Sequence, residues 1–180
     1  MVNFTLSDLF GLLLTLAVLF CLFSIVWAYL SFAPWLPSLK RDSKRIFKLA
    51  DLKSGQTFYD LGCGTGKVVF YAAKHYPVKA IGLELALPFY LICQARKIFF
   101  LGKNATFKFK DLYTENLALA DVIYIFGTPK TINLKLKQKL EKELKSGSRV
   151  ISYAFKINDW TPTVVDKPSV KDIPIFLYIR

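Results

Sequence analysis

The stretch Tyr59-Asp60-Leu61-Gly62-Cys63-Gly64-Thr65-Gly66 decides how this chain folds. A short apolar run leads into it and an amphipathic run follows. Three glycines alternate with small residues, and an acid stands two places before the first of them. The pattern predicts a strand, a tight turn and a helix start, because glycine accepts positive φ and leaves the backbone open to a ligand. A dinucleotide fingerprint, G-x-G-x-x-G, would place its third glycine at position 67, which is Lys67. Here the third glycine is Gly66, and the acid precedes the loop.

Apolar runs alternate with helical ones on the C-terminal side. Strands are predicted at 57–61, 79–83, 105–110, 121–126 and 149–155, with short final strands at 163–165 and 173–179. Helices are predicted at 42–52, 67–76, 87–101 and 131–144; in the last, Ile132, Leu136, Leu140 and Leu144 recur every four residues, and Lys135, Lys139 and Lys142 are assigned to its wet face. Strands that alternate with helices imply an α/β, Rossmann-like doubly wound sheet, parallel through five strands. The last two strands have only a short link between them and predict an antiparallel hairpin.

On the N-terminal side, residues 9–32 are 24 consecutive positions without a charge, mostly Leu, Phe, Val, Ile and Ala. At 1.5 Å per residue they reach about 36 Å, enough to cross a hydrocarbon core of about 30 Å. A secretory signal would need a basic start and a shorter apolar core; this N-terminus has only Asp8. One transmembrane helix is therefore expected. Pro34 and Pro37 would turn the chain out of the membrane, and Trp27, Tyr29 and Trp35 suit an interfacial belt. The expected division is residues 1–39 as anchor and interfacial segment, and residues 40–180 as the folded domain.

All 25 Lys and Arg follow Leu39, and residues 40–180 carry them against 12 acids. The positive-inside rule then places the domain on the cytoplasmic side, or at the equivalent face of a mitochondrial inner membrane. Lipid headgroups are the expected partner of that charge, and nucleic acid is not: Lys, a solvated point charge, outnumbers Arg by 20 to 5. Cys21, Cys63 and Cys93 show neither metal-ligand spacing nor a disulfide framework, so no metal site is expected. His75 is read as a helix-end residue.

In open α/β sheets, ligands bind beyond the carboxyl ends of the strands. Three acids occupy those ends: Asp60, Glu84 (followed by Leu85) and Asp111 (followed by Leu112). A carboxylate after the second strand can accept ribose hydroxyls, one after the third can reach an exocyclic amine, and Asp60 is placed for an ammonium group. Each also has a plainer reading: Glu84 as a helix cap, Asp111 as a turn residue, Asp60 as a brace for the loop. Cys63 and Thr65 are expected to contribute backbone.

The D-x-G-x-G-x-G run resembles motif I of the seven-strand S-adenosylmethionine-dependent methyltransferases. Over residues 33–166 the resemblance narrows. Phe126-Gly127-Thr128-Pro129, Trp160-Thr161-Pro162, the Asp111-Leu112 pair and Trp35-Leu36-Pro37-Ser38 are similar to elements of membrane-anchored protein-lysine methyltransferases. That family includes the enzymes acting on the c-ring protein of ATP synthase and on the adenine nucleotide translocase. Cys63 and Thr65 stand where its members often have Ser and Asp. The resemblance implies a seven-stranded methyltransferase sheet behind a membrane helix. It implies S-adenosyl-L-methionine held by Asp60, Gly62, Cys63, Gly64, Thr65, Gly66, Glu84, Leu85, Asp111 and Leu112, with S-adenosyl-L-homocysteine as product. Phe126, Gly127, Thr128, Pro129 and Trp35 would face the acceptor, with Phe126 and Trp35 as channel walls. The expected acceptor is a lysine of a membrane or membrane-associated protein. Two alternatives stay open: a lipid, quinone or other small-molecule acceptor, and a cofactor-binding scaffold without turnover. Nucleic-acid methylation is a weaker reading, because Gly-Thr-Pro replaces an Asn-Pro-Pro-aromatic type motif. The oligomeric state is not read from the sequence.

Overall fold

Side chains along β1 (Thr57–Leu61) alternate between two buried faces: Phe58 belongs to one core, Tyr59 and Leu61 to the other. Only a strand covered on both sides has this requirement, and it explains why the run is apolar at nearly every position. The computed structural model describes residues 5–32, 40–99 and 104–180. With β1, the strands β2 (Lys79–Glu84), β3 (Ala105–Phe109), β4 (Val122–Ile125), β5 (Arg149–Tyr153), β6 (Val164–Asp166) and β7 (Ile175–Ile179) form a seven-stranded sheet in the order β3-β2-β1-β4-β5-β7-β6. The first five are parallel, and β7 runs antiparallel between β5 and β6. The fold class expected from the sequence is the one observed.

Helices α2 (Ser43–Ala50), α3 (Lys67–His75) and α4 (Leu87–Phe99) cover one face, burying Ile46, Phe47, Val69, Ala72 and Cys93 against it. Helix α5 covers the other with Ile132, Leu136 and Leu140. It comprises a turn at Pro129–Thr131, a π turn at Ile132–Leu136 and an α segment at Lys137–Glu143. It thus starts two residues before the predicted 131. Thr128 is its N-cap, its hydroxyl accepting from the Thr131 N–H at 3.3 Å, and Pro129 takes the first helical position, where its missing N–H costs nothing. Lys139 is not on a wet face: its ammonium, 9% exposed, bonds Glu143 at 2.6 Å and the Glu115 carbonyl. His75 ends α3 on the surface, with its ring against Tyr71.

The β6–β7 end is tied to α2 by Arg45. Its guanidinium donates to the Asp166 carboxylate and to the carbonyls of Asp166 and Ile173 at 2.8–3.3 Å. It also donates to Asp42 at 3.0 Å, and Tyr153 donates to the same buried carboxylate at 2.7 Å. A buried acid that receives two donors avoids the desolvation penalty of an unpaired one.

Helix α1 (Leu6–Ser31) opens with a capping box between Thr5 and Asp8 and is long and apolar enough to cross a membrane by length and composition. Its side chains from Leu6 to Phe20 are exposed. From Cys21 onward one face, Cys21, Ser24, Ala28 and Ser31, becomes covered. Ser24 accepts a hydrogen bond from the Leu87 N–H at 3.2 Å, which joins α1 to the start of α4. The expected boundary at 39/40, and Trp35, fall outside the described residues.

Candidate active site

The strand order reverses between β1 and β4, so the loops after these strands diverge and leave a crevice at their carboxyl ends. Register brings Asp60 level with Gly82 on one side and Tyr124 on the other. The loop after β1 turns on glycines at positive φ: Gly62 at 84°, Gly64 at 53° and Gly66 at 74°. Gly66 is needed for a second reason. A Cβ there would lie 2.6 Å from the Phe107 ring, so this glycine serves packing and does not line the cavity.

A cavity of about 310 Å³ occupies the crevice, the low end of the range for small-molecule sites. Asp60, Gly62, Cys63, Gly64, Thr65, Glu84, Leu85, Asp111, Leu112 and Phe126 all border it. The three acids from three strand ends are therefore brought to one place. Glu84 is already engaged. One carboxylate oxygen accepts from the Gly64 N–H at 2.7 Å, the other from Leu85 and Ala86 at 3.0 and 2.8 Å. It braces the glycine loop and caps the turn into α4, and a lone pair on the first oxygen remains for a hydroxyl. Burial pushes its carboxyl up, against those three N–H groups, which pull it down. Asp111 accepts from the Tyr113 N–H at 2.9 Å, a turn-forming bond that uses one of its oxygens.

Asp60 differs from both. Its carboxylate is buried, and no hydrogen bond reaches it among the described residues. Burial, and then the neighbouring Glu84 charge, pushes its carboxyl well above the usual range. A buried acid without a donor is costly unless a cation arrives to pair with it. The Cys63 thiol is also pushed well up, by its hydrogen bond with Cys93, by burial and by Asp60. Cys93 in turn donates to the Gly64 carbonyl at 3.2 Å. A protonated, buried Cys63 offers backbone and bulk, not a nucleophile.

On the β4 side, Phe126 borders the cavity and stacks edge-on against Tyr153 at 4.8 Å. Gly127, Thr128 and Pro129 lie behind it, Thr128 and Pro129 as the start of α5. Sequence reasoning missed the remaining wall, which is the end of α1. Ile25, Val26, Ala28, Tyr29, Ser31 and Phe32 border the same cavity. Phe32 is the keystone. A Cβ on Gly127 would stand 2.7 Å from its Cε2, and one on Gly62 3.2 Å from its Cδ1. Its carbonyl accepts from the Thr131 hydroxyl at 2.6 Å. The ring therefore lies across both ligand-side loops. The apolar run that contains it reads as anchor, and nothing in a single sequence says that its last turn folds back over the sheet.

The donor set fits S-adenosylmethionine: an unpaired buried acid for a cationic amino-acid end, a glycine turn, and carboxylates at the second and third strand ends. A family model for the ANTKMT methyltransferase domain matches residues 60–164. A protein-lysine N-methyltransferase of Saccharolobus islandicus is 31% identical over 84% of this chain and 96% of its own length. The Rattus norvegicus lysine N-methyltransferase that acts on the c-ring protein of ATP synthase is 33% identical over 72% of this chain, and the match covers 59% of that protein. Among solved structures, an RNA methyltransferase from Salinibacter ruber in complex with S-adenosyl-L-homocysteine superposes with a TM-score of 0.74 at 24% identity, covering 80% of this chain and 93% of that one. At that identity the likeness is one of fold. The chain belongs to the ANTKMT methyltransferase-domain family of S-adenosylmethionine-dependent methyltransferases.

Proposed function

We propose that this protein is a membrane-anchored protein-lysine N-methyltransferase that acts on a membrane or membrane-associated protein from the cytoplasmic side, or from the equivalent face of a mitochondrial inner membrane. The observation that carries the reading is the shared wall: the last two turns of the apolar helix α1 border the cavity that holds the three strand-end acids. Donor and anchor are then one structural unit. The excess of basic residues in residues 40–180 supports the sidedness, and the lysine methyltransferases named above support the acceptor class.

Bound S-adenosylmethionine supplies a methyl group activated by its sulfonium. In this reading Asp60 pairs with the ammonium of the methionine moiety. Backbone groups of Gly62, Cys63, Gly64 and Thr65 line it, with Gly66 permitting the turn. Glu84 takes the ribose hydroxyls, Leu85 and Leu112 flank the adenine, and Asp111 takes its amine. The protein's remaining task is orientation: a neutral amine has to sit in line with the methyl group. The apolar surface of α1 and Phe126 favours the neutral amine by desolvation, and the Phe126 ring also attracts the cation it becomes. Gly127, Thr128 and Pro129 shape that side of the channel, as Trp35 does in the resemblance.

The deciding experiment incubates purified full-length protein with host membranes and methyl-labelled cofactor. Label is expected in protein, as methylated lysine after hydrolysis. Label confined to the lipid extract would instead establish a lipid or quinone acceptor, and tight cofactor binding with no label in any fraction would establish a scaffold.

A further inference from the structure

Helix α4 presents an apolar face outward. Stepping about 100° per residue, Leu87, Pro88, Leu91, Ile92, Ala95, Ile98 and Phe99 fill an arc of roughly 140° that no polar residue interrupts. Ile98 and Phe99 are 75% and 81% exposed, Leu91 and Ile92 52% and 41%. The face turned to the sheet carries buried Cys93 and half-buried Tyr90 and Gln94. A surface helix ordinarily shows the opposite arrangement. We propose that this outward face of α4 lies in the bilayer, at the depth where the headgroups meet the acyl chains.

The proposal rests on the reading of α1 as a membrane span, and the geometry of α1 argues for it. From Leu9, the first residue after Asp8, to Phe20 the helix stands clear of the domain. Those residues cover only about 18 Å, well short of a hydrocarbon core of about 30 Å. Crossing the core takes about 20 residues, which from Leu9 ends near Ala28. The covered stretch from Cys21 to Ala28 therefore lies inside the apolar layer, and this is the stretch that Ser24 joins to the start of α4. The domain cannot stand off in water; the surface nearest α1 has to enter the interface. The outward face of α4 is apolar, continuous with the anchor, and followed on the same helix by Lys97, whose stem can lie along apolar surface while its ammonium reaches lipid phosphate. A basic domain adds attraction to anionic headgroups. A bilayer accounts for all of these features together.

Depth-dependent fluorescence quenching tests it on the full chain in vesicles of phosphatidylcholine and phosphatidylglycerol. In a Cys21→Ser background, with buried Cys63 and Cys93 left in place, an environment-sensitive dye is attached at Leu13→Cys in α1, Ile98→Cys in α4 or Glu141→Cys in α5. Retained cofactor binding confirms that each variant is folded. Dye at 98 should be quenched several-fold more by lipids brominated near the headgroup than dye at 141, while dye at 13 responds to deeper bromines. Dye at 13 quenched by lipid, with dye at 98 open to aqueous iodide like dye at 141, would overturn the inference and leave the anchor standing. Dye at 98 shielded from both quenchers would overturn it in favour of a protein partner or a second copy. Absence of lipid quenching at 13 would overturn the anchor reading and this inference with it.

Discussion

Asp60 and Phe32 carry opposite kinds of tension, one electrostatic and one steric. Burial and the Glu84 charge keep Asp60 protonated above the usual carboxylate range in the ligand-free protein. A bound cation favours the ionised form, so binding releases a proton wherever the free protein still holds one. Cofactor affinity should therefore rise with pH and level off once Asp60 ionises unaided. Calorimetry in two buffers of different ionisation enthalpy reads that proton directly, and zero release would refute the assignment. The Asp60→Asn variant should lose about tenfold or more in affinity, the scale of a charge-assisted hydrogen bond, and show a flat profile. Stability follows the same sign. A raised carboxyl stabilises the ligand-free fold fully below its unfolded value, and that contribution is lost as pH rises through the folded value. The melting temperature of the ligand-free protein should fall across that window, and the fall should shrink in Asp60→Asn. Gly127→Ala tests the steric side. Its Cβ would press within 2.7 Å of the Phe32 ring, an overpacking that costs about 1–3 kcal/mol. Denaturant titration should show that cost largely relieved in a Phe32→Ala background, a non-additivity expected only for residues in contact.

At the scale of elements, Thr128 separates two roles. The resemblance puts it beside the acceptor; the fold makes it the N-cap of α5, with its hydroxyl against Thr131. Thr128→Ala should cost about 1 kcal/mol of stability, Thr128→Ser much less, and neither should change cofactor affinity. Chemical denaturation alongside calorimetry checks this, and a tighter or weaker cofactor complex would return Thr128 to the site. The cap was readable in the sequence, since Thr-Pro is a helix start, but the strong apolar run before it draws attention to the strand. Other elements were legible for physical reasons. The five parallel strands are buried on both faces and so are apolar throughout, and the glycine loop needs positive φ at fixed spacing. The acids at three strand ends could be placed because parallel topology fixes where carboxyl ends meet. What escaped reading depends on contacts distant in sequence. Lys139 looks solvated on a helical wheel, yet a carbonyl from the loop before β4 draws it in. Glu84 reads as a ligand carboxylate, and its three backbone donors show a brace as well. The wall formed by α1 belongs with these: a run apolar all round carries no mark of which side meets the domain.

For the whole molecule, α1 has two jobs at different depths, and truncation can divide them. The exposed part, Leu6 to Phe20, touches nothing else in the described residues and serves only to hold the protein in a bilayer. The part from Cys21 to Phe32 packs on α4 and closes the cavity. A chain starting after residue 20 should therefore keep cofactor affinity close to that of the full protein. It should lose methylation of an acceptor embedded in vesicles, because a tether acts through local concentration and not through contacts at the site. Solubilising the same acceptor in detergent should bring the two proteins to similar rates. A chain starting after residue 32 removes Phe32 and the wall with it. That opens the site to water, exposes the apolar floor under Gly62 and Gly127, and should weaken cofactor binding in calorimetry as well as abolish transfer. If both truncations bound cofactor equally well, α1 would be an anchor and nothing more. If the shorter truncation already lost cofactor, the outer turns would be supporting the fold in a way the packing around Cys21 and Ser24 does not provide. The pair of measurements places the border between tether and active site within α1, and the packing puts it at Cys21.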